Sequence, residues 1–558
     1  MLKKKIYLSK IEKGKLFLDP LNKNKNKKNL IKLSTVNSLK EQKKHSRFCK
    51  KIVIKIIGNY FKDYNKNFQK KKNLNFFTIF YKPILTHLVE SLYFKYVFLK
   101  KIDKKKFSIE KCDISNIKKI DIIRFSKLLR TSKNLNNAMI SDISNKIGID
   151  SFSSNHYVFR KKNSFSFLFF ITSCFKSIVS FFSIGLSSIF YRKKILIHDD
   201  ILKFNEILKI LIMSKFKVSY LYVNNFSYFN FDSFTKTLIK EKKKNNSFEK
   251  ICSDLLPKYL PEAYDLEMIN KIHSYKVKKG SVLISKRLSD PANVKFRNFL
   301  GENIKNLRIF SAQHGGGYGY LNNFYLENYE KNISNKLLTW GWKKSKKDQP
   351  FSTSNLKINN KKMAFMHDKA LLIGSNFCKY DYRFSSEPNS SLIFNNSNYI
   401  NNKIQLIKEI SKNYKLIYKP HEVNNWYDEL IEFKKLKNFD IDKKNNLLDL
   451  AYNSKLIIIC HLSTAFLESL SLNKPLILFL DKKFYEISNI AKKYFKLFEK
   501  VGLLHYNVNS IKNFLKKNNL EDWWSNNKLQ EARQEFLKQF FNIKKNHDKN
   551  LLKYILKI

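Results

Sequence analysis

Short apolar runs alternate with stretches of helical spacing along much of this chain, and this alternation limits the folds that it can adopt. Four apolar runs of strand length lie between residues 194 and 312, separated by segments with helical periodicity. The alternation starts again near residue 370 and continues to residue 480. Strands that alternate with helices of this length predict βαβ units and parallel sheets. We therefore predict an α/β protein with two similar halves, each containing a parallel sheet.

The length of the chain and its changes in composition predict several regions. A chain of 558 residues is too long for one ordinary hydrophobic core, so two or more domains are expected. The predicted regions are residues 1–162 as a helical N-terminal extension, 163–320 as a first Rossmann-like half, 321–365 as a polar bridge, 366–510 as a second, nucleotide-binding Rossmann-like half, and 511–558 as C-terminal helices. Within the two halves, residues 226–272 and 425–436 are predicted to be helical.

The chain is strongly basic, with 107 Lys and Arg against 46 Asp and Glu and a formal net charge of +61. Such a charge favours a polyanion or an anionic membrane surface as the partner. The lysines are nevertheless spread along a sequence also rich in Asn, Ile and Phe, as an AT-rich gene would encode. The sequence has no aromatic-basic motif of the common RNA-binding modules. We therefore predict no nucleic-acid partner and a weak attraction to anionic lipid head groups.

The cysteines and the N-terminal sequence favour the cytoplasm as the location. The six cysteines are far apart and form no CxxC pair, so neither a zinc site nor a disulfide framework is expected. The lysine-rich start of the chain does not have the pattern of a secretory signal.

Residues 164–191 are apolar over a length that would suit a bilayer crossing, but Lys176 lies near their middle and serines recur. A buried core helix, a helix on the membrane surface, a membrane span and a disordered connector are the four interpretations, and the first two are favoured. The predicted location is thus cytoplasmic, with peripheral contact to the inner face of the membrane.

Four of the 13 glycines fall within residues 315–319, directly after an apolar run at residues 307–310 that is predicted as a strand. Glycines after a strand allow a sharp turn and a close approach of the backbone to a ligand. His314 lies at the start of this turn, where a neutral imidazole could accept a proton from an acceptor hydroxyl. The glycine N–H groups could stabilise charge on the leaving phosphate. A tight turn with a surface histidine is the alternative interpretation.

Two further polar clusters follow predicted strands, and ligands of open parallel sheets bind beyond the carboxyl ends of the strands. Lys419 and His421 follow one strand and could contact a phosphate. Ser463 or Thr464 could cap a helix whose N-terminal N–H groups and positive dipole end would bind a diphosphate. Glu468 lies one turn further on the same helical face and could accept a hydrogen bond from a ribose hydroxyl.

Two other motifs are predicted to be structural. Asp440 and Asp442 match the DxD pattern that binds divalent metals in some sugar transferases, but aspartates are common at the ends of short strands. Trp340 and Trp342 are predicted to pack in the interior rather than to form a sugar platform. No metal ion and no other cofactor is predicted.

Several stretches of the sequence resemble a known family. QHGGGYG at residues 313–319 with the acids Glu327 and Glu330 after it, LLTWGW at 337–342 and CHLSTAFLESLSLNKP at 460–475 resemble transferases encoded in bacterial O-antigen and surface-polysaccharide gene clusters. YKPILTHLVESLYFKY from residue 81 and LPKYLPEAYDLE from residue 256 extend the likeness over most of the chain. The order of the His-Gly, basic-Pro-His and Ser-Thr clusters also resembles, more distantly, the CDP-glycerol glycerophosphotransferases of teichoic acid synthesis.

This resemblance implies a GT-B fold, in which two Rossmann-like halves hold a nucleotide-activated donor in the cleft between them. It also implies His314 as the catalytic base, facing the helix at residue 463 across that cleft. With the residues argued above, the candidate substrate-binding residues are Gln313, Gly315, Gly316, Gly317, Tyr318, Lys419, His421, Ser463, Thr464 and Glu468. Three departures from the two families are a Lys at 419 where Arg is usual, which removes bidentate phosphate recognition, His461-Leu462 before the serine, and Gly-Gly-Tyr after His-Gly.

We predict a transferase that moves a sugar, or a polyol phosphate, from a nucleotide-activated donor to a surface-glycan or lipid-linked acceptor in O-antigen or capsule biosynthesis. A CDP-polyol phosphotransferase and a non-catalytic polysaccharide-assembly protein are the alternatives. The non-catalytic protein would keep the fold but bind no nucleotide.

Overall fold

The computed structural model of the chain consists of two compact units. The first comprises Met1–Ile309, Cys378–Ser385 and Asn389–Ser391, and the second comprises Phe310–Phe377, Ser386–Pro388 and Leu392–Ile558. The residues described are 3–8, 16–19, 30–32, 36–158, 167–191, 193–223, 247–272, 274–322, 324–353, 366–374, 378, 380–384, 392, 398–421, 433, 436, 439–544 and 546–557.

The N-terminal part of the first unit combines helices with a sheet. The helices are Leu39–Asn67, Leu74–Leu99, Ile122–Thr131 and Lys133–Lys146. The parallel sheet has, among the described residues, five strands in the order Leu30–Lys32, Leu16–Asp19, Lys4–Tyr7, Phe107–Ser115 and Ser151–Val158. The prediction of a helical extension at residues 1–162 is therefore incomplete, because it omits this sheet. Most of these strands are short and interspersed with lysine, and they pair with partners distant in sequence, so local patterns give little signal of them.

The first unit also contains three parallel strands in the order Ser281–Ser285, Ile195–His198 and Val218–Leu221, at the predicted apolar runs. The helices around them are Phe167–Phe190, Phe204–Met213, Ser247–Tyr259, Leu266–Lys271 and Val294–Asn303, with a 3₁₀ turn at Glu262–Tyr264. Residues 226–246 of the predicted helical region 226–272 lie outside the described residues.

The predicted bridge at residues 321–365 is wrong where its structure is described. Strand Lys336–Thr339 pairs in parallel with Leu307–Ala312 on one side and with Asp348–Pro350 on the other. Helix Tyr325–Ile333 connects strand Leu307–Ala312 to strand Lys336–Thr339. The surrounding Lys, Asn and Ser obscure this short apolar strand, so the stretch has the composition of a linker. Residues 354–365 lie outside the described part of the chain.

The main sheet of the second unit has, among the described residues, six parallel strands. Their order is Phe439–Ile441, Lys415–Lys419, Met366–Ile373, Ser454–Ile459, Leu476–Phe479 and Leu504–His505. The described helices that accompany this sheet are Asn398–Ile410, Leu447–Asn453, Thr464–Ser471, Asn489–Lys500, Val508–Lys517, Leu520–Ser525, Asn527–Phe540 and His547–Leu556. The predicted helix at 425–436 falls outside the described residues except for positions 433 and 436.

Parallel pairing brings two of the predicted polar clusters to one edge of the main sheet. Strands Lys415–Lys419 and Ser454–Ile459 both pair with Met366–Ile373, one on each side of it. Their carboxyl ends, followed by His421 and His461, are therefore two strand spacings apart, about 10 Å. The chain is a mixed α/β protein with parallel sheets and a helix-rich N-terminal region, as predicted.

Candidate functional site

The glycine loop, residues 313–320, is fixed by the buried side chain of Gln313. Its Oε1 accepts hydrogen bonds from the backbone N–H of Trp340 at 3.0 Å and from Nε1 of Trp342 at 2.8 Å. Its Nε2 donates to the carbonyl of Gly315 at 2.9 Å. Because these bonds are internal, we assign Gln313 a positioning role in place of the predicted substrate contact. Trp340 and Trp342 are buried, so their predicted packing role is confirmed.

The glycine loop lies directly against the first turn of helix Thr464–Ser471. The N–H of Gly316 donates to Oγ1 of Thr464 at 2.8 Å. A Cβ added at Gly316 would lie 2.4 Å from the carbonyl carbon of Ser463 and 2.5 Å from the nitrogen of Thr464, so only glycine permits this approach. Gly317 has a φ of 92°, in the region that favours glycine. Two predicted clusters, 148 residues apart in sequence, are thus in contact.

The glycine loop and this helix belong to the same unit, which corrects the predicted boundary at residue 320. Residues 310–320 are part of the second unit, whereas they were predicted to belong to the first half. Side-chain and backbone bonds explain the difference. Oγ of Ser488 donates to the carbonyl of Gly319 at 2.6 Å, and the Ser488 N–H donates to the carbonyl of Tyr320 at 2.9 Å. The expected cleft between two halves is therefore not needed to bring His314 close to the helix.

His314 begins a hydrogen-bonded chain that ends at a buried carboxylate. The hydroxyl of Tyr318 donates to Oε2 of Glu330 at 2.9 Å, and its oxygen lies 3.2 Å from Nδ1 of His314. Oε1 of Glu330 lies 3.7 Å from the same Nδ1. Because the hydroxyl proton is directed to the carboxylate, we assign the proton of the neutral imidazole to Nδ1, which leaves the lone pair on Nε2. A carboxylate that orients the imidazole is the arrangement of a general base.

Glu330 is the functional candidate that sequence reasoning missed. Its side chain is fully buried and also accepts a hydrogen bond from Oγ of Ser311 at 3.2 Å. It lies on helix Tyr325–Ile333, within the region predicted as a bridge, so its only signal is its place in the stretch that carries the family resemblance. Tyr318 is also fully buried. We therefore assign Tyr318 a positioning role rather than the predicted contact with substrate.

The hydroxyls at the start of helix Thr464–Ser471 do not cap it, in contrast to the prediction. Ser463 occupies the N-cap position without a capping hydrogen bond, and within the described chain its buried Oγ has no partner. Oγ1 of Thr464 accepts from the glycine loop instead. No described group accepts a hydrogen bond from the N–H of Thr464 or Ala465. The helix N-terminus therefore offers several donors to an anion.

His461 is buried at the same sheet edge and is neutral near pH 7. Burial, with smaller contributions from Lys403 and His421, lowers the pKa of His461 to about 3. Among the described residues, its Nδ1 has no hydrogen-bond partner. His461 can therefore form a hydrogen bond with a ligand but adds no charge. Positive charge comes from Lys403 and Lys419, both of which are buried.

Lys419 is held at the end of its strand by a turn that includes Asp442, the second aspartate of the DxD pattern. Its ammonium donates to the carbonyl of Asn445, whose N–H donates to Asp442 at 2.9 Å. An ammonium has three donors, so Lys419 can still contact a phosphate. Asp440 pairs with Lys415 at 3.0 Å. The described residues contain no group of three or more His, Cys, Asp or Glu that could hold a metal ion.

Glu468 lies one turn into helix Thr464–Ser471 and is partly buried. Burial raises the pKa of Glu468 to about 7, and no described charge or hydrogen bond opposes this shift. Burying a carboxylate without a partner is unfavourable, and such groups are common at ligand sites. Its predicted contact with a ligand hydroxyl remains a prediction. His421, by contrast, is exposed beyond the end of strand Lys415–Lys419.

Residues 15–555 match the sequence model described as LIC12162 family transferase. No match was found among curated protein sequences.

Similarity to solved structures is remote. The co-structure of S. aureus MnaA with UDP is 11% identical and covers 65% of this chain and 97% of that chain, with a TM-score of 0.34. The spinosyn rhamnosyltransferase SpnG is 7% identical and covers 86% and 97%, with a TM-score of 0.32. The glycosyltransferase SnogD from Streptomyces nogalater is 8% identical and covers 65% and 99%, with a TM-score of 0.30. The fold class thus depends on the strands and helices described above.

Proposed function

The chain belongs to the LIC12162 family of transferases, and we propose that it transfers a sugar from a nucleotide-activated donor to a hydroxyl of a surface-glycan acceptor. One observation carries this proposal. The hydrogen bond from Gly316 to Thr464 joins the loop that bears His314 to a helix N-terminus whose N–H and hydroxyl groups can donate hydrogen bonds to an anion. A base and a diphosphate site are then within reach of one substrate, which is the geometry that group transfer requires.

In the proposed reaction, Nε2 of His314 removes the proton from the acceptor hydroxyl. The acceptor oxygen forms a bond to the sugar carbon, and the bond from that carbon to the donor diphosphate breaks. Glu330 stabilises the imidazolium that results, through Tyr318 and its own carboxylate. The leaving diphosphate carries the negative charge toward the N-terminus of the helix.

The residues around the helix N-terminus fit a nucleoside diphosphate. The hydroxyl of Ser463 and the first helical N–H groups can donate to phosphate oxygens, and Lys403 and Lys419 can neutralise the charge. Glu468 can accept a hydrogen bond from a ribose hydroxyl, which would give its unpartnered carboxyl group a partner. A neutral His461 suits contact with an uncharged part of the donor.

The finer parts of the proposal depend on the family resemblance. We propose that the acceptor is a growing surface polysaccharide or its lipid-linked precursor, and that the product belongs to O-antigen or capsule biosynthesis. A polyol phosphate is an alternative group to be transferred, since the second family resembled uses CDP-linked donors.

Donor binding tests the proposal directly. The purified chain is mixed with a panel of nucleotide sugars and CDP-polyols, and binding is read by native mass spectrometry and by thermal shift. We expect one class of donor to bind, and a donor at about 100 times its Kd would add about 2.7 kcal/mol to the stability. Ser463→Ala should weaken that binding, whereas Ser525→Ala, in another helix, should not. Absence of nucleotide binding at about millimolar concentration would refute the proposal.

A further inference from the structure

The helix Phe167–Phe190, here called the apolar helix, has its small polar residues turned toward the protein and its large apolar residues turned away from it. Its buried residues, in the part whose side chains are described, are Ser173, Ser180, Ser183 and Ser187. Its exposed residues include Phe175, Ile178, Phe181, Phe182, Ile189 and Phe190. A surface helix normally buries its apolar face, so this orientation is reversed.

Hydrogen bonds to the edge strand Val218–Leu221 fix this orientation. Oγ of Ser180 donates to the carbonyl of Tyr220 at 2.9 Å and accepts from the N–H of Tyr222 at 3.1 Å. Oγ of Ser183 accepts from the N–H of Tyr220 at 3.0 Å. These backbone groups are the ones that an edge strand leaves unpaired, so the serine face satisfies the sheet edge. The opposite, apolar face must then point outward.

The same bonds decide among the interpretations of this segment. Phe170–Phe190 is, in the described chain, the one helix long and apolar enough to cross a membrane; its most apolar stretch has a mean hydropathy of 1.5, and 22% of that stretch is buried. A crossing would have to break the Lys176–Asp199 ion pair at 2.9 Å and move the serines into lipid, which is unfavourable. One of the two favoured interpretations, a buried core helix, is wrong because so little of the helix is buried. The remaining interpretation is a helix that lies on a membrane surface.

The exposed apolar surface continues onto the neighbouring helix Phe204–Met213. The Tyr191 hydroxyl donates to the carbonyl of Lys215 at 3.5 Å, which brings the ends of the two helices together. Ile212 and Met213 are 71% and 52% exposed there. Large exposed apolar residues therefore lie on both helices near this junction, and exposed apolar surface of this kind marks an interaction site.

Charges around this patch are positive. The exposed lysines on or beside the end of the second helix are Lys193, Lys209, Lys215 and Lys217. The acidic residues of the same region have partners within the protein: Asp199 with Lys176, Asp200 with His198 and Glu206 with the N–H of Lys203. The rim is therefore cationic, and its charge complements an anionic surface.

We propose that the apolar helix, with Ile212 and Met213, lies in the interfacial layer of an anionic lipid bilayer, with the rim lysines against the lipid phosphates. A second copy of the chain fits less well, because a symmetric interface would bring two lysine rims together. The proposal does not depend on the transferase activity, since vesicle binding is measured without donor or acceptor.

Flotation with vesicles tests this proposal on the full chain. Vesicles of phosphatidylcholine and phosphatidylglycerol at a ratio of roughly three to one are compared with pure phosphatidylcholine. We expect the wild-type chain to float with the anionic vesicles and to be released by high salt. Phe181→Ser with Phe182→Ser should lower the partition coefficient by about 30-fold. Ile54→Ser, at a residue that is 62% exposed on another helix, is the matched control and should bind like the wild type.

Four results would overturn the proposal. The first is no flotation of the wild type, and the second is equal flotation of the double variant and the control. The third is a dimer in sedimentation experiments that the double variant abolishes, which would assign the patch to a second copy. Retention after an alkaline carbonate wash would instead indicate a span. Lys215→Glu with Lys217→Glu is a second variant, chosen because exposed charges leave folding unaffected, and it should reduce flotation with anionic vesicles.

Discussion

Replacing Gly316 by Ala should separate the glycine loop from the helix on which the proposed site is built. The new Cβ would lie 2.4 Å from the carbonyl carbon of Ser463 and 2.5 Å from the nitrogen of Thr464. Carbon atoms in contact are normally about 3.5 Å apart, so the loop must retreat by about 1 Å. Both obstacles are backbone atoms, which a change of side-chain rotamer cannot move aside.

The retreat has a cost in stability and a cost in activity. It weakens the 2.8 Å bond from Gly316 to Thr464, worth about 1 kcal/mol, and adds overpacking of about 1–3 kcal/mol. The second unit should therefore lose about 2–4 kcal/mol, or roughly 5–15 °C in its melting temperature. A displacement of His314 by about 1 Å should lower kcat by about 100-fold.

Gly315→Ala is the matched control. A Cβ at this position meets only Oγ1 of Thr464, at 3.1 Å, and a side chain can yield by a few tenths of an ångström. We expect this variant to melt within about 4 °C of the wild type and to keep most of its activity. Calorimetry and donor turnover are measured on both variants. Equal effects of the two substitutions, or an unchanged Gly316→Ala variant, would refute the reasoning.

Three further predictions concern the side chains around the loop. Glu330→Gln should lower kcat by about 10- to 100-fold with little change in donor Kd, because His314 loses its orienting carboxylate. Donor turnover measures kcat, and isothermal titration measures the donor Kd. Glu468→Gln should raise the free energy of unfolding at pH 8 by up to about 3 kcal/mol and change it little at pH 5, as followed by urea denaturation. Trp342→Phe should cost about 1–2 kcal/mol, measured in the same way, because Gln313 loses its 2.8 Å hydrogen bond.

The raised pKa of Glu468 makes the wild-type protein less stable at higher pH. Burial moves that pKa from 4.5 to about 7, so the folded protein holds a proton that the unfolded chain releases over this range. Wild-type stability therefore falls as the pH rises from 4.5 through 7, and a glutamine removes this loss. A wild-type stability that is flat across this range would contradict the prediction.

Matched residues elsewhere in the chain serve as controls for the other two substitutions. Glu535→Gln, at an exposed position of helix Asn527–Phe540, is the control for Glu330→Gln and should leave kcat unchanged. Trp523→Phe, which removes a 2.7 Å hydrogen bond to Val501 away from the loop, is the control for Trp342→Phe. It should reduce stability to a similar extent, and an unchanged stability of Trp342→Phe would contradict the role given to its hydrogen bond with Gln313.

The main sheet and the glycine loop were predictable because their signals are local. Strands such as Ser454–Ile459 and Leu476–Phe479 are nearly continuous apolar runs, as strands buried on both faces must be. The loop was recognisable because glycine is scarce in this chain and clusters after one such strand. The candidate site residues that follow these strands could therefore be named from the sequence, before the contacts of those residues were known.

The features that were missed depend on contacts between distant residues. Glu330 becomes important only when its helix brings it against His314, and no spacing rule links the two. The N-terminal sheet is built from short strands whose partners lie elsewhere in the chain. The apolar helix is the clearest case, since its buried serines are explained by the unpaired backbone of an edge strand and by nothing in the helix itself.

Donor turnover by the His314→Ala variant tests the central claim most directly. The variant is first checked for an unchanged melting temperature and for donor binding by titration, so that folding and binding are separated from chemistry. Loss of a general base predicts a kcat lower by about 100- to 10,000-fold at an unchanged donor Kd. A folded His314→Ala variant that turns over donor at the wild-type rate would contradict the account.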